Sequence, residues 1–122
     1  MTIIEYKNND TFLPEISIVC LTFNAAIFVD SLIRSFYQQD MIERCEIIIG
    51  DDASADSTIS VLKDLLERSP CPARLIVRDK NVGPGTNWLE AIGLAKSTYI
   101  AYVDGDDYYT TTSKLSSDFE IL

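Results

Sequence analysis

Five of the nineteen acidic residues fall in two short stretches, Asp51-Asp52 and Asp104-Gly105-Asp106-Asp107. Carboxylates packed together repel one another, so such a group needs a proton, a basic partner or a cation. The chain has no histidine, and few basic residues lie near these stretches in sequence. A divalent cation is the natural compensation. Oxygen-only ligands suit Mg²⁺ or Mn²⁺ rather than zinc. Such an ion keeps waters and is held by one or two carboxylates plus ligand phosphates. The pattern therefore predicts a site for a diphosphate-bearing ligand held through a metal. Asp and Gly are also ordinary turn and cap formers. What favours the site is that both stretches directly follow apolar runs.

Those runs set the architecture. Residues 15–22 and 45–50 are short, apolar and partly β-branched, as buried strands are, and residues 73–78 and 98–103 repeat the pattern. Between them, Val29, Leu32, Ile33 and Phe36 recur at helical spacing, with Asn24 as the expected cap. Ile59, Leu62 and Leu66 mark a second helix, capped by Asp56 or Ser57 and ended by Pro70. Trp88, Ala91, Ile92 and Ala95 mark a third, with Gly83-Pro84-Gly85 as a breaker and Thr86 as its cap. A last helix carrying Leu115 and Phe119 is expected at the end. Residues 1–14 show no clear period and read as a lead-in, leaving one domain over 15–122. Strands alternating with helices predict a mainly parallel sheet with right-handed crossovers and helices on both faces. In such a sheet ligands bind beyond the carboxyl ends of the strands. Those ends are Thr22-Phe23-Asn24, Asp51-Asp52, Asp79-Lys80-Asn81 and Asp104 to Asp107.

Composition narrows the chemistry. With 122 residues, 10 basic and 19 acidic, the net charge is −9. At 47% hydrophobic and 24% charged, the chain is globular. Without histidine there is no imidazole base, no His-ligated zinc and no Ser-His-Asp triad. The negative charge argues against nucleic acid and against an anionic membrane surface. No apolar run reaches the roughly 20 residues of a membrane span, and the start lacks a basic region followed by an apolar one, so no secretory signal is expected. Cys20, Cys45 and Cys71 contain no paired spacing and read as reduced thiols of a cytosolic protein, the first two in the core and Cys71 on a loop. Trp88 fits the helical stripe and reads as core. Tyr108 and Tyr109 fit packing and acceptor contacts equally well. Gly83-Pro84-Gly85 is not a dinucleotide fingerprint, and no phosphate-binding P-loop motif occurs.

Four stretches together resemble the nucleotide-binding half of family 2 glycosyltransferases, which have the GT-A fold. They are Ser17-Ile-Val-Cys-Leu-Thr-Phe-Asn24, Glu46-Ile-Ile-Ile-Gly-Asp-Asp-Ala-Ser54, Asn81-Val-Gly-Pro-Gly-Thr-Asn87 and Tyr99-Ile-Ala-Tyr-Val-Asp-Gly-Asp-Asp107. Each motif alone is modest; all four in order, across residues 15–118, are specific. The resemblance implies a Rossmann-like, three-layer α/β/α fold, truncated after the DXD motif. It implies that Thr22, Phe23 and Asn24 line the nucleotide pocket, with Gly83 beside them. Asp52 would accept a hydrogen bond from the base, usually uracil, while Asp51 would be structural. Asp104 and Asp106 match the DXD motif, Asp104 near the ribose and Asp106 on a Mn²⁺ or Mg²⁺ ion bridging the diphosphate. The role of Asp107 stays open.

The implied partners are a nucleotide-sugar donor, with UDP-sugar first, and a saccharide or lipid-linked acceptor in polysaccharide or glycoconjugate synthesis. The expected location is cytoplasmic, with peripheral attachment at the inner membrane face. Where many relatives carry Ala-Arg-Asn, this chain has Thr86-Asn87-Trp88, so no arginine contact to phosphate carries over. Family members place the acceptor-binding half and the general base downstream of the DXD motif. That puts the base beyond Leu122 and leaves apolar surface that favours self-association. Two other readings remain: a non-catalytic nucleotide-binding fragment and a receiver-type signalling domain. The receiver architecture wants its acidic pair after the first strand, and a haloacid-dehalogenase-like phosphatase wants its Asp-x-Asp there. Here the pair follows the second predicted strand and Asp104-x-Asp106 follows the fourth.

Overall fold

A computed structural model describes residues 1–104. Asp106, Asp107, the two tyrosines after them and the expected last helix lie outside the described residues. The elements are β1 (Thr2–Tyr6), β2 (Ile16–Thr22), α1 (Ala26–Tyr37), a 3₁₀ turn (Ile42–Arg44), β3 (Cys45–Asp51), α2 (Thr58–Leu66), β4 (Ala73–Val77), α3 (Pro84–Ile92) and β5 (Tyr99–Asp104). They form one sheet in the order β1-β4-β3-β2-β5. β2 runs parallel to β3 and β5, and β3 parallel to β4.

Successive strand residues face opposite sides, and both sides are covered. Ile16, Ile18 and Cys20 of β2, Cys45, Ile47 and Ile49 of β3, and Leu75 of β4 pack against α1 and α2, where Val29, Leu32, Ile33, Phe36 and Leu62 are fully buried. Val19, Ile48 and Ile76 turn the other way and meet Ala91 of α3, with Trp88 half-buried beside them. This is the three-layer α/β/α architecture expected. Coverage on both faces is why β2 and β3 read as continuous apolar runs rather than alternating ones.

Several local expectations are corrected. The lead-in contains β1, an edge strand antiparallel to β4 with Thr2 opposite Val77 and Tyr6 opposite Ala73. Only Tyr6 is buried and Ile4 half-buried, too little to give a readable period. Asn24 does not cap α1: Ala25 holds that position, and Asn24 sits at φ 48. Thr86 lies inside α3, whose N-cap is Gly83 with Pro84 in the first turn. Helix α3 stops at Ile92, so Ala95 belongs to the return turn. Ser57 makes no side-chain cap bond on α2. The neighbouring Asp56 carboxylate does, accepting the Thr58 amide at 2.9 Å and the Thr58 hydroxyl. Its other oxygen accepts the Ala26 amide at 3.3 Å, so one side chain ties down the starts of both α1 and α2. Cys71 is on a loop, as expected, yet only 2% exposed.

Candidate functional site

The sheet order reverses at β2, with β3 on one side and β5 on the other. In an open parallel sheet this is the switch point where a crevice forms. Register aligns the three carboxyl ends: Thr22 pairs with Asp51, and Leu21 with Asp104. Thr22, Asp51 and Asp104 thus end their strands on one edge of the sheet, with Asp52 directly after Asp51.

The two acids ending β3 have separate duties. Asp51 is fully buried. Its carboxylate accepts the Thr22 hydroxyl at 2.7 Å, the Ser54 amide at 2.9 Å and the Ser54 hydroxyl at 2.6 Å. It holds β2 and the turn after β3 together, so the Thr22 hydroxyl is already committed. Asp52, 5% exposed, accepts the Val82 amide at 2.6 Å on Oδ1 and the Gly83 amide at 3.0 Å on Oδ2. Its own amide donates to the Thr22 carbonyl at 3.0 Å. Each carboxylate oxygen offers two lone-pair sites, so Asp52 keeps acceptor capacity after binding both amides. Gly83 sits at φ 86, a conformation that glycine adopts at no steric cost. It lets the chain turn from β4 into α3 with both amides aimed at Asp52.

These bonds revise the metal argument. The acids at the end of β3 are each bound by N–H or O–H donors of the chain itself. Among the described residues no group of three His, Cys, Asp or Glu side chains could hold a metal. The expected metal residue Asp106, with Asp107, lies outside the described residues.

A cleft of about 270 Å³ opens here, lined by Leu21, Thr22, Phe23, Asp52, Asn81, Pro84 and Asn87. Of the predicted residues, Thr22, Phe23 and Asp52 meet in it, and Gly83 is bonded to Asp52 at its edge. Phe23, one of the lining residues, is 54% exposed. Asn24 is not among the lining residues: its side-chain oxygen accepts the Ala55 amide at 2.8 Å, bracing the neighbouring loop. Leu21 and Pro84 also border an apolar lobe with Gly85, Trp88 and Tyr102. There the Trp88 and Tyr102 rings meet edge to face at 5.0 Å. Trp88 is therefore both core and wall.

Sequence reasoning places Asn81 at a strand end and both Asn81 and Asn87 in the third matching stretch, but gives neither a role. The Asn81 side-chain amide donates to the Asp52 carbonyl at 3.3 Å. Asn87, 2% exposed, donates from Nδ2 to the Gly50 carbonyl at 2.9 Å. For Asn87 the available signal was a polar residue on the buried stripe of a helix. No helix among the described residues is long and apolar enough to cross a membrane.

A family model described as "Glycosyl transferase family 2" matches residues 17–116. The poly(ribitol-phosphate) beta-glucosyltransferase of Bacillus spizizenii is 35% identical over 98 residues, 77% of this chain and 15% of its own length. Among solved structures, Staphylococcus aureus TarS 1–349 in complex with UDP-GlcNAc superposes with a TM-score of 0.75 at 23% identity, covering 87% of this chain and 30% of that one. The mannosyltransferase PcManGT of Pyrobaculum calidifontis, in complex with GDP-Man and Mn²⁺, gives a TM-score of 0.81 at 21% identity, covering 90% and 32%. The chain spans 31% of the length of the first curated relatives that it matches.

Proposed function

The chain belongs to glycosyl transferase family 2, and on that premise we propose that residues 15–122 bind a nucleoside diphosphate sugar, with UDP-sugar first, for transfer to a hydroxyl of a saccharide or lipid-linked acceptor. One observation carries this reading: a buried carboxylate, Asp52, and an exposed ring, Phe23, share a single cleft at the switch point of a parallel sheet. Stacking on the ring and an N–H donated to the carboxylate are what a planar base requires.

Each residue then has a task. Phe23 supplies the face on which the base lies, and Asp52 accepts an N–H from its edge. Thr22 contributes backbone and methyl surface, since its hydroxyl is bound to Asp51. Gly83 keeps the opposite wall close. Asp104 ends the strand on the ribose side. Through Asp106 the chain would hold Mn²⁺ or Mg²⁺, whose chemistry is to neutralise the charge building on the departing nucleoside diphosphate. The Bacillus spizizenii relative, a poly(ribitol-phosphate) beta-glucosyltransferase, supports glycosyl transfer as the reaction class. The complexes named for the two structural neighbours contain a uridine and a guanosine donor. Base choice therefore does not follow from the fold and must lie in local contacts such as those of Asp52.

Thermal denaturation with UDP, GDP and ADP, each with and without Mn²⁺, tests the proposal on wild type and Asp106→Ala. A ligand at about 100 times its dissociation constant stabilises by about 2.7 kcal/mol. The expected result is a UDP-dependent shift that needs both the metal and Asp106. A shift that survives Asp106→Ala would remove the metal from that residue. No shift with any nucleotide would overturn the donor-site assignment for this chain.

A further inference from the structure

We infer that Arg78 is a positioning residue for the nucleotide cleft. Its guanidinium ties the first turns of α3 to the Gly50-Asp51 end of β3 and thereby orients Asp52. The inference rests on the proposed nucleotide site. Arg78 lies just past the end of β4, and its side chain is 3% exposed. Nη1 donates to the Asn87 side-chain oxygen at 2.6 Å and to the Asp51 carbonyl at 3.4 Å, while Nη2 pairs with Glu90 at 2.9 Å. Asn87 passes the restraint on, donating from Nδ2 to the Gly50 carbonyl at 2.9 Å.

The geometry has a direct consequence for the acid. The peptide joining Asp51 to Asp52 is held at both ends, its carbonyl by Arg78 and its amide by the Thr22 carbonyl at 3.0 Å. The Asp52 carboxylate is bound in turn by the amides leading into α3, the helix that Arg78 grips through Asn87 and Glu90. Both sides of the cleft wall therefore refer to one guanidinium. Stability alone is a poor account of it. Its charge partner Glu90 is 39% exposed, and a pair open to solvent on one side adds little stability, while Arg78 Nε has no hydrogen-bond partner among the described residues. A planar fork, by contrast, fixes several acceptors in one orientation, which the point charge of lysine does not.

The test uses the chain as it is, with Arg78→Met and Arg78→Lys. Amide proton resonances of Val82 and Gly83 report the bonds to Asp52, and titration with UDP and Mn²⁺ reports the cleft. Both variants are expected to move the two resonances. They should also weaken UDP by about tenfold, the scale seen when a partner orienting a ligating group is removed. A lower melting temperature with unmoved resonances and unchanged affinity would overturn the inference and leave Arg78 a structural residue. If the wild type binds no UDP, the nucleotide reading fails by itself and the resonances alone decide Arg78. Should Arg78→Met not fold, Glu90→Gln takes its place: displacement of both resonances supports the inference, and their constancy overturns it.

Discussion

Gly50 and Asn87 share one space: a Cβ on Gly50 would overlap the Asn87 carboxamide, whose Nδ2 donates to the Gly50 carbonyl at 2.9 Å. The carboxamide cannot simply swing away, because Arg78 holds its oxygen at 2.6 Å. Gly50→Ala is expected to destabilise the fold by about 1–3 kcal/mol, the range for overpacking a tight core site. Urea denaturation measures it. Asn87→Ala removes the clash but takes one donor from the Gly50 carbonyl and one acceptor from Arg78, so it is destabilising as well. The double variant should cost less than the two single changes added together. Strict additivity would show that the two positions do not compete.

Asp52→Asn replaces a double acceptor with a group that offers one acceptor and one donor. One of the Val82 and Gly83 amides then loses its partner. A buried, unsatisfied amide costs about 1–3 kcal/mol. Thermal unfolding should show that loss without ligand, and UDP titration a further loss of affinity. Unchanged stability together with unchanged affinity would remove Asp52 from both roles.

How much of this was legible depends on where the information lies. The parallel core was readable because β2 and β3 are mostly apolar on both faces, and the stripe Val29, Leu32, Ile33 and Phe36 is fully buried as its spacing predicts. The edge strand β1 was not readable, since only Tyr6 and Ile4 face the core. Asp51 and Asp52 are adjacent and of one type. Their different duties depend mostly on donors far away in sequence, Thr22 for one (with nearby Ser54) and Val82 and Gly83 for the other. Arg78 follows an apolar strand and looks like a solvated end. It is buried because Asn87 and Glu90, a helix later, provide its acceptors.

Asp56 should make the fold sensitive to acid. The Thr58 hydroxyl, then the Thr58 and Ala26 amides, hold its carboxyl below the ordinary value of 3.8. A depressed folded pKa contributes stability above the unfolded value, and that stability is lost as pH falls through the folded one. Asp56→Asn is expected to lower the melting temperature at neutral pH. The difference from wild type should narrow as pH drops below about 4. A gap that stays constant down to acid pH would mean that the charge on Asp56 is irrelevant to its capping.

The three thiols, Cys20, Cys45 and Cys71, form no disulfide and are buried. Burial is the leading cause that pushes Cys45 up to about 12 and Cys71 up to about 11, from an ordinary 9.0. Cys45 also donates to the Met41 carbonyl at 3.2 Å, which favours the protonated form. The thiolate is the reactive species. Its fraction at a given pH should fall about a thousandfold for Cys45 and about a hundredfold for Cys71 relative to a free thiol, at a factor of ten per pKa unit. A chromogenic disulfide reagent at pH 8 should therefore label none of the three at once in the native protein and all three after unfolding in urea. Labelling should follow the opening of the fold, so its rate should rise with denaturant and fall when a ligand stabilises the native state. Immediate labelling of Cys71 in the native protein would show that the 69–72 loop opens independently of the sheet it packs against.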